Sequence, residues 1–209
     1  LNVTGEIYIP VRHHLLSRCT SLDKLTHIYS HSQGFEQCNA WLSANCPQAE
    51  HIAVSSTAKG AMLAAAERPV VLFGGSRWTV ESARAMESFA AAHDLPLVAA
   101  FRFHDIIDNH CPAYVGDAGV AMNGYMKDLL READLILALN IRFGEATTDG
   151  YSLFDAPKMK ADLIHSHASD DEIGKIYTPD LPVHAGPNTM ASALAAMALP
   201  DSAARSDWC

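Results

Sequence analysis

No cluster of Lys and Arg occurs anywhere in the sequence, and 15 basic side chains are set against 24 acidic ones, a net charge of -9. That balance argues against duplex nucleic acid or an anionic membrane as a partner. No apolar run approaches the ~20 residues of a membrane span, and no basic segment followed by an apolar one opens the chain, so neither a span nor a leader is expected. The cysteines, Cys19, Cys38, Cys46, Cys111 and Cys209, are odd in number and include no C-x-x-C. Neither a disulfide framework nor a zinc knuckle is indicated, and a reducing cytoplasm is the expected setting. What remains is a 209-residue chain, 49% hydrophobic, long enough to bury a sizeable core. It begins at Leu1 and stops at Asp207-Trp208-Cys209, which reads as a piece of something longer.

The pattern is organised around 68–78. Val70, Val71, Leu72 and Phe73 show no alternation, as expected of a parallel strand covered on both faces. Gly74 and Gly75 follow with the freedom in φ that a strand-to-helix reversal needs. Val80, Ala83, Met86, Phe89 and Ala90 then recur at helical spacing before the next apolar run, Leu95 to Ala100, completing a βαβ unit. Further strands are predicted at Leu135 to Leu139, Ala161 to His165 and Leu181 to His184, with helices near 79–93, 123–132, 169–174 and 187–198. Five parallel strands at this spacing predict an α/β, doubly wound, mostly parallel sheet of the Rossmann-like kind.

The earlier part reads as a partial α/β lobe. Ile7, Ile9 and Val11 alternate as an edge strand beside Pro10; Ile28 and Tyr29 lead into Ser30-His31-Ser32-Gln33. Phe35, Cys38, Trp41 and Leu42 then mark an amphipathic helix ending at Pro47. His51 to Val54 is another strand, and Ser55-Ser56-Thr57 caps a helix through Ala58 to Ala66. Two helix starts rich in Ser, Thr and Gln, each after a strand, suit a carboxylate, since free N–H groups and the macrodipole favour an anion. They are equally well two ordinary caps. The expected division is 1–66, 67–200 and a tail at 201–209, with the second segment folding on its own and the first not, for want of a covered core.

Three strings carry a resemblance: Glu6-Ile-Tyr-Ile-Pro-Val-Arg-His-His-Leu-Leu16, Tyr29-Ser-His-Ser-Gln-Gly-Phe-Glu-Gln-Cys38 and Ser56-Thr-Ala58. Over about 5–63 the chain resembles the second lobe of prephenate dehydratase. That family has a Ser-His-x-Gln-small-x-x-Gln-Cys segment opening a helix beside the substrate cleft. Ser30, His31, Gln33, Gln37 and Cys38 match it, with Gly34 where alanine is usual. The resemblance implies an aromatic carboxylate as ligand of Ser30, His31, Gln33, Gln37, Ser56 and Thr57. The family's Thr-Arg-Phe motif is absent, because Arg142-Phe143 follows Ile141, and no dehydration of prephenate is expected.

Over about 66–198 a second resemblance rests on Arg68-Pro-Val-Val-Leu-Phe-Gly-Gly75, Asp94-Leu-Pro-Leu-Val98, Tyr114-Val-Gly-Asp-Ala-Gly119, Ala133-Asp-Leu-Ile-Leu-Ala138, Arg142-Phe-Gly-Glu145, Gly150-Tyr151 and Asp171-Glu-Ile-Gly-Lys175. In this order they resemble the central domain of thiamine diphosphate-dependent enzymes of the acetolactate synthase and benzoylformate decarboxylase group. The resemblance implies a composite or truncated chain carrying a non-catalytic domain of a 2-oxo acid decarboxylase or synthase, inert alone. Its thiamine diphosphate and Mg would sit on other domains, and its partners would be those catalytic domains or further copies of itself. Some members hold FAD or an ADP moiety on this domain, which makes Gly74, Gly75 and Ser76 the candidate nucleotide-binding residues. The alternative is a small-molecule binding module derived from prephenate dehydratase.

Two decoys are set aside. Gly116-Asp117-Ala118-Gly119 with Asn140 imitates a Mg-diphosphate motif, but Ala118 and Ile141 stand where glycine and a second asparagine are needed, and the segment is expected to be a structural turn. His165 and His167, two apart on a strand, share a side without a third ligand in view. No metal site and no catalytic residue is expected.

Overall fold

The computed structural model describes residues 13–15, 17, 21–30, 32–53, 66–197, 199 and 203–208. The edge strand expected before residue 13 and the cap and helix expected at 55–65 lie outside them. Near the N-terminus, β1 (His27–Ser30), α1 (Ser32–Asn45) and β2 (Glu50–Ala53) form a parallel βαβ unit, Ser30 pairing with Ala53. Its core is small: Leu25, Ile28, Leu42, Cys46 and Ala49, with Phe35 and Cys38 against them. Trp41, expected on the buried face, is 48% exposed. At 100° per residue it lies about 60° beyond the stripe of Phe35, Cys38 and Leu42, whereas Cys46 lies only about 20° from its other edge.

The main sheet has six strands, all parallel: β3 (Pro69–Phe73), β4 (Leu97–Ala100), β5 (Tyr114–Ala118), β6 (Leu135–Leu139), β7 (Asp162–His167) and β8 (Leu181–His184), in the spatial order β5-β4-β3-β6-β7-β8. The chain starts in the middle, winds outward to β5, then crosses back to β6 and winds outward the other way. The doubly wound α/β expectation holds, with one strand more than the five expected. Tyr114–Ala118, which overlaps the segment Gly116 to Gly119 read as a structural turn, is the sixth strand. Gly116 sits there at φ 130° and Asp117 is exposed, so the pattern lacked the branched apolar residues that mark a strand.

Central strands are apolar throughout because both faces are covered. On one, Val71, Phe73, Leu97, Ala99, Leu137 and Leu139 pack with α2 (Val80–Ala92) and α4 (Pro187–Ala195) through Ala83, Met86, Phe89, Ala90, Met190 and Leu194. On the other, Val70, Leu72, Val98, Ile136, Ala138 and Leu163 meet Met126 and Leu130 of α3 (Gly124–Glu132) and the irregular segment carrying Phe143, Leu153, Met159 and Tyr177. Val80 is 63% exposed, since it lies about 120° from the middle of the buried face of α2. The helix expected at 169–174 is a single 3-10 turn, Asp170–Glu172.

Termini of these elements are fastened by side chains. The Thr79 hydroxyl accepts from the Ser82 N–H and the Ser82 hydroxyl accepts from the Thr79 N–H, a reciprocal capping box on α2. Asn188 from α4 joins that cap, accepting from the Thr79 N–H at 3.0 Å and the Ser82 hydroxyl at 2.6 Å. The Asp134 carboxylate accepts from the N–H groups of Glu67 and Arg68, fixing the start of β3 beside β6. Residues 203–208 form α5 (Ala203–Trp208). Trp208 donates to the Pro69 carbonyl and Arg205 to that of His93, setting α5 at the N-terminal edge of the sheet.

Candidate functional site

In a doubly wound sheet, adjacent strands whose connections run off in opposite directions leave a crevice beyond their carboxyl ends. Here that point lies between β3 and β6. A cleft of about 770 Å³ occupies it, lined by Gly75, Ser76 and Arg77 at the exit of β3, Ala100, Phe101 and Phe103 at that of β4, Asn140, Arg142 and 144–147 at that of β6, and 167–169 at that of β7.

Gly75 and Asn140 make the floor. Gly75 has φ 70°, and a Cβ there would lie 2.1 Å from the Asn140 carbonyl oxygen and 2.5 Å from its Nδ2. Only glycine fits. Asn140, itself at φ 55° and 4% exposed, uses the vacated space: Nδ2 donates to the Ser76 carbonyl at 2.9 Å and to that of Gly74 at 3.4 Å, and Oδ1 accepts from the Ala168 N–H at 3.4 Å. One amide thus ties together the exits of β3, β6 and β7. Gly74 is tight for another reason, since a Cβ would stand 2.9 Å from Ala100 Cβ and from Phe103 Cδ2.

The carbonyls of the loop are engaged inward. That of Gly74 also accepts from Trp78 Nε1 at 2.8 Å, and that of Arg77 from Asn188 Nδ2 at 3.0 Å. Thr79, Ser82 and Asn188 cap the start of α2. The N–H groups of Gly75, Ser76 and Arg77, residues of the cleft lining, have no protein acceptor among the described residues. Thr147 accepts from the Phe101 N–H at 3.3 Å and bridges the far wall. Arg77 and Arg142 against Glu145 leave a positive balance along the lining, so the arrangement suits an anion held by backbone donors.

Of the expected site residues, Gly74, Gly75 and Ser76 come together here. Ser30 ends β1 and Gln33 and Gln37 lie on α1, where Gln37 Oε1 accepts from His13 Nε2 at 2.6 Å. Gly34, the departure from the alanine usual in the resembled motif, has a reason: a Cβ there would be 2.4 Å from the Ser30 hydroxyl. His31, Ser56 and Thr57 lie outside the described residues. His165 and His167 do share a side of β7, with ring centroids 6.3 Å apart, but both are buried. Among the described residues no three His, Cys, Asp or Glu side chains gather as metal ligands, and no helix is long and apolar enough to cross a membrane.

Sequence reasoning missed Asn140 as a clamp by weighing it only as a magnesium ligand. The usable signal was an asparagine directly after the apolar run Leu135 to Leu139. In a parallel sheet it must emerge at the same edge as Gly74, and asparagine is the non-glycine residue that most readily takes positive φ.

Comparison with known proteins agrees with this layout. The family model described as thiamine pyrophosphate enzyme, central domain, matches residues 58–194, and that of prephenate dehydratase matches residues 1–100. The acetolactate synthase isozyme 2 large subunit of Escherichia coli is 26% identical over 133 residues, 64% of this chain and 24% of that protein. Mitochondrial acetolactate synthase of Schizosaccharomyces pombe is 28% identical over 125 residues, 56% of this chain and 19% of the relative. The bifunctional chorismate mutase/prephenate dehydratase of Stutzerimonas stutzeri is 45% identical over 60 residues, 28% of this chain and 16% of that protein. The chain therefore spans less than a quarter of the length of each of these relatives. With the first model matching more than half of the residues, on a doubly wound sheet whose switch-point crevice is intact, the chain belongs to the thiamine pyrophosphate enzyme central-domain family and carries a prephenate dehydratase-like segment on its N-terminal side.

Proposed function

We propose that residues 66–199 serve as a non-catalytic central domain of a thiamine diphosphate-dependent 2-oxo acid decarboxylase or synthase, and that the switch-point cleft holds the diphosphate of a nucleotide, either ADP or the ADP half of FAD. The observation that carries the reading is the Gly75–Asn140 floor. It engages the carbonyls of Gly74 and Ser76, on a loop whose N–H groups at 75–77 have no protein acceptor among the described residues, in a cleft lined by Arg77 and Arg142. The Asn140 and Thr147 side chains around it hold the loops in shape. What the residues do for such a ligand is bind and orient: backbone N–H groups of 75–77 take phosphate oxygens, and Arg77 and Arg142 offset their charge.

Titrating ADP into the 209-residue chain should give saturable micromolar binding, which about 0.3 kcal/mol per non-hydrogen atom implies. The amide resonances of Gly75, Ser76 and Arg77 should move most. If those amides stay in place at saturating ADP, the cleft is not a diphosphate site.

Thiamine diphosphate with magnesium is expected to show no stoichiometric site in calorimetry. The Asn140 amide is held by Ser76, Gly74 and Ala168, Ala118 is a fully buried strand residue, and Ile141, where a second asparagine is needed, is buried and has no side-chain oxygen. A one-to-one micromolar isotherm that needs magnesium would refute this.

A further inference from the structure

The three strands under the cleft end at one level. Phe73 pairs with Leu139 and Leu139 with Ser166, so Gly74, Asn140 and His167 come next, side by side, at the carboxyl edge of the sheet. β3 and β7 are two strand spacings apart, about 10 Å. A diphosphate at 75–77 therefore leaves the next part of its nucleotide, the ribose, within reach of the β7 exit.

His167, the last residue of β7 and part of the cleft lining, is 8% exposed. Its Nδ1 is occupied, lying 3.0 Å from both the amide nitrogen and the carbonyl oxygen of Ser169. Either tautomer thus finds a partner within Ser169, by accepting from the N–H or by donating to the carbonyl. Nε2 is left over. It has no hydrogen-bond partner among the described residues, and it is not sealed from solvent as His165 Nδ1 is. Glu172, which could compete for it, is held by Lys175 at 3.0 Å and Arg142 at 3.7 Å.

The freedom of the tautomer selects the partner. A phosphate oxygen only accepts and suits one tautomer, whereas a hydroxyl both donates and accepts and suits either. The wall across the cleft, Ala100, Phe101 and Phe103, has no polar side-chain atom to offer a sugar. A metal ion would need companion ligands, and no such group gathers among the described residues.

We propose that His167 reads the ribose of the bound nucleotide, its Nε2 hydrogen-bonding a ribose hydroxyl, so that the cleft takes ribonucleotides in preference to deoxyribonucleotides. This rests on the nucleotide reading of the cleft and adds to it the residue that distinguishes the sugar. A deoxy sugar brings a C–H group against Nε2 and leaves that atom desolvated without a partner, which is the source of the discrimination.

The test titrates ADP, 2′-deoxy-ADP and 3′-deoxy-ADP into the 209-residue chain. Calorimetry, the amide resonances of 75–77 and the imidazole nitrogen resonances of His167 are the readouts. At least one deoxy nucleotide should bind about tenfold more weakly than ADP and leave Nε2 where it was, while ADP shifts it. His167→Ala should erase that difference, and His167→Gln, whose amide can take the place of Nε2, should keep part of it. A merely structural role for His167 would lower the affinity for all three nucleotides equally. Equal affinity of the unaltered chain for ADP and both deoxy forms, or an Nε2 resonance unmoved by saturating ADP, overturns the proposal even where His167→Ala fails to fold. The two readings fail separately: amides of 75–77 that shift with all three nucleotides at equal affinity leave the diphosphate site standing and remove the sugar reading. Amides that stay in place with ADP remove both.

Discussion

Replacing Gly75 by alanine is expected to destabilise the domain by about 3–5 kcal/mol, more than any other single glycine-to-alanine change among the described residues. Two costs coincide at this position. A non-glycine residue at φ 70° costs about 1–2 kcal/mol. The added Cβ also meets the Asn140 backbone oxygen at 2.1 Å, and that backbone is fixed by the Asn140 N–H donating to the Ser166 carbonyl at 2.7 Å. Relieving the clash means shifting β6 or giving up the Asn140 clamp.

Two further glycines separate the terms. Gly150 has φ 68° with nothing within 4 Å of its Cβ direction, so Gly150→Ala carries the backbone cost alone, about 1 kcal/mol. Gly74 lacks a positive φ, and its Cβ meets the side chains of Ala100 and Phe103; Gly74→Ala should cost about 1–3 kcal/mol. Melting temperatures should fall in the order Gly150→Ala, Gly74→Ala, Gly75→Ala, the last by roughly 10 °C or more for a domain of this size. Were Gly75→Ala to melt within a degree or two of Gly150→Ala, the Gly75–Asn140 contact would not be the constraint described.

These residues also show what the sequence made legible. Uninterrupted apolar runs at β3, β4 and β6 announced a sheet buried on both faces, and Gly74-Gly75 marked the edge where its crevice lies. Asn123, whose side chain accepts from the Met126 N–H at 2.9 Å, begins α3 where the periodicity begins. The misses share a cause, since each is decided by contacts distant in sequence. Tyr114–Ala118 becomes a strand through its pairing with Leu97–Ala100, despite a glycine and an aspartate of low strand propensity. Asn140 becomes a clamp because Ser76, 64 residues earlier, is brought beside it. Tyr177 is fully buried because the loop bearing Phe143 and Phe154 folds back over β7, which no local pattern records.

Truncating the central strand on either face should be nearly as damaging. Leu72 and Phe73 are neighbours in β3, both 0% exposed, and point to opposite sides. Leu72 belongs to the cluster under α3, and Phe73 to the one under α2 and α4, where Trp78 stands edge-on to it at 6.5 Å. Phe73→Ala should cost about 3–5 kcal/mol and Leu72→Ala about 2–5 kcal/mol, the transfer term plus a cavity that flanking strands cannot close. Val183 provides the contrast. It lies on the edge strand β8, partly buried, and Val183→Ala should cost only about 1 kcal/mol. Denaturant unfolding of the three variants measures this directly. With total stability of about 5–15 kcal/mol for a typical domain, either β3 variant should lower the midpoint sharply, and Val183→Ala only slightly. If Leu72→Ala or Phe73→Ala cost no more than Val183→Ala, one face of the sheet would be open, and a doubly wound packing with its crevice between β3 and β6 would be the wrong description.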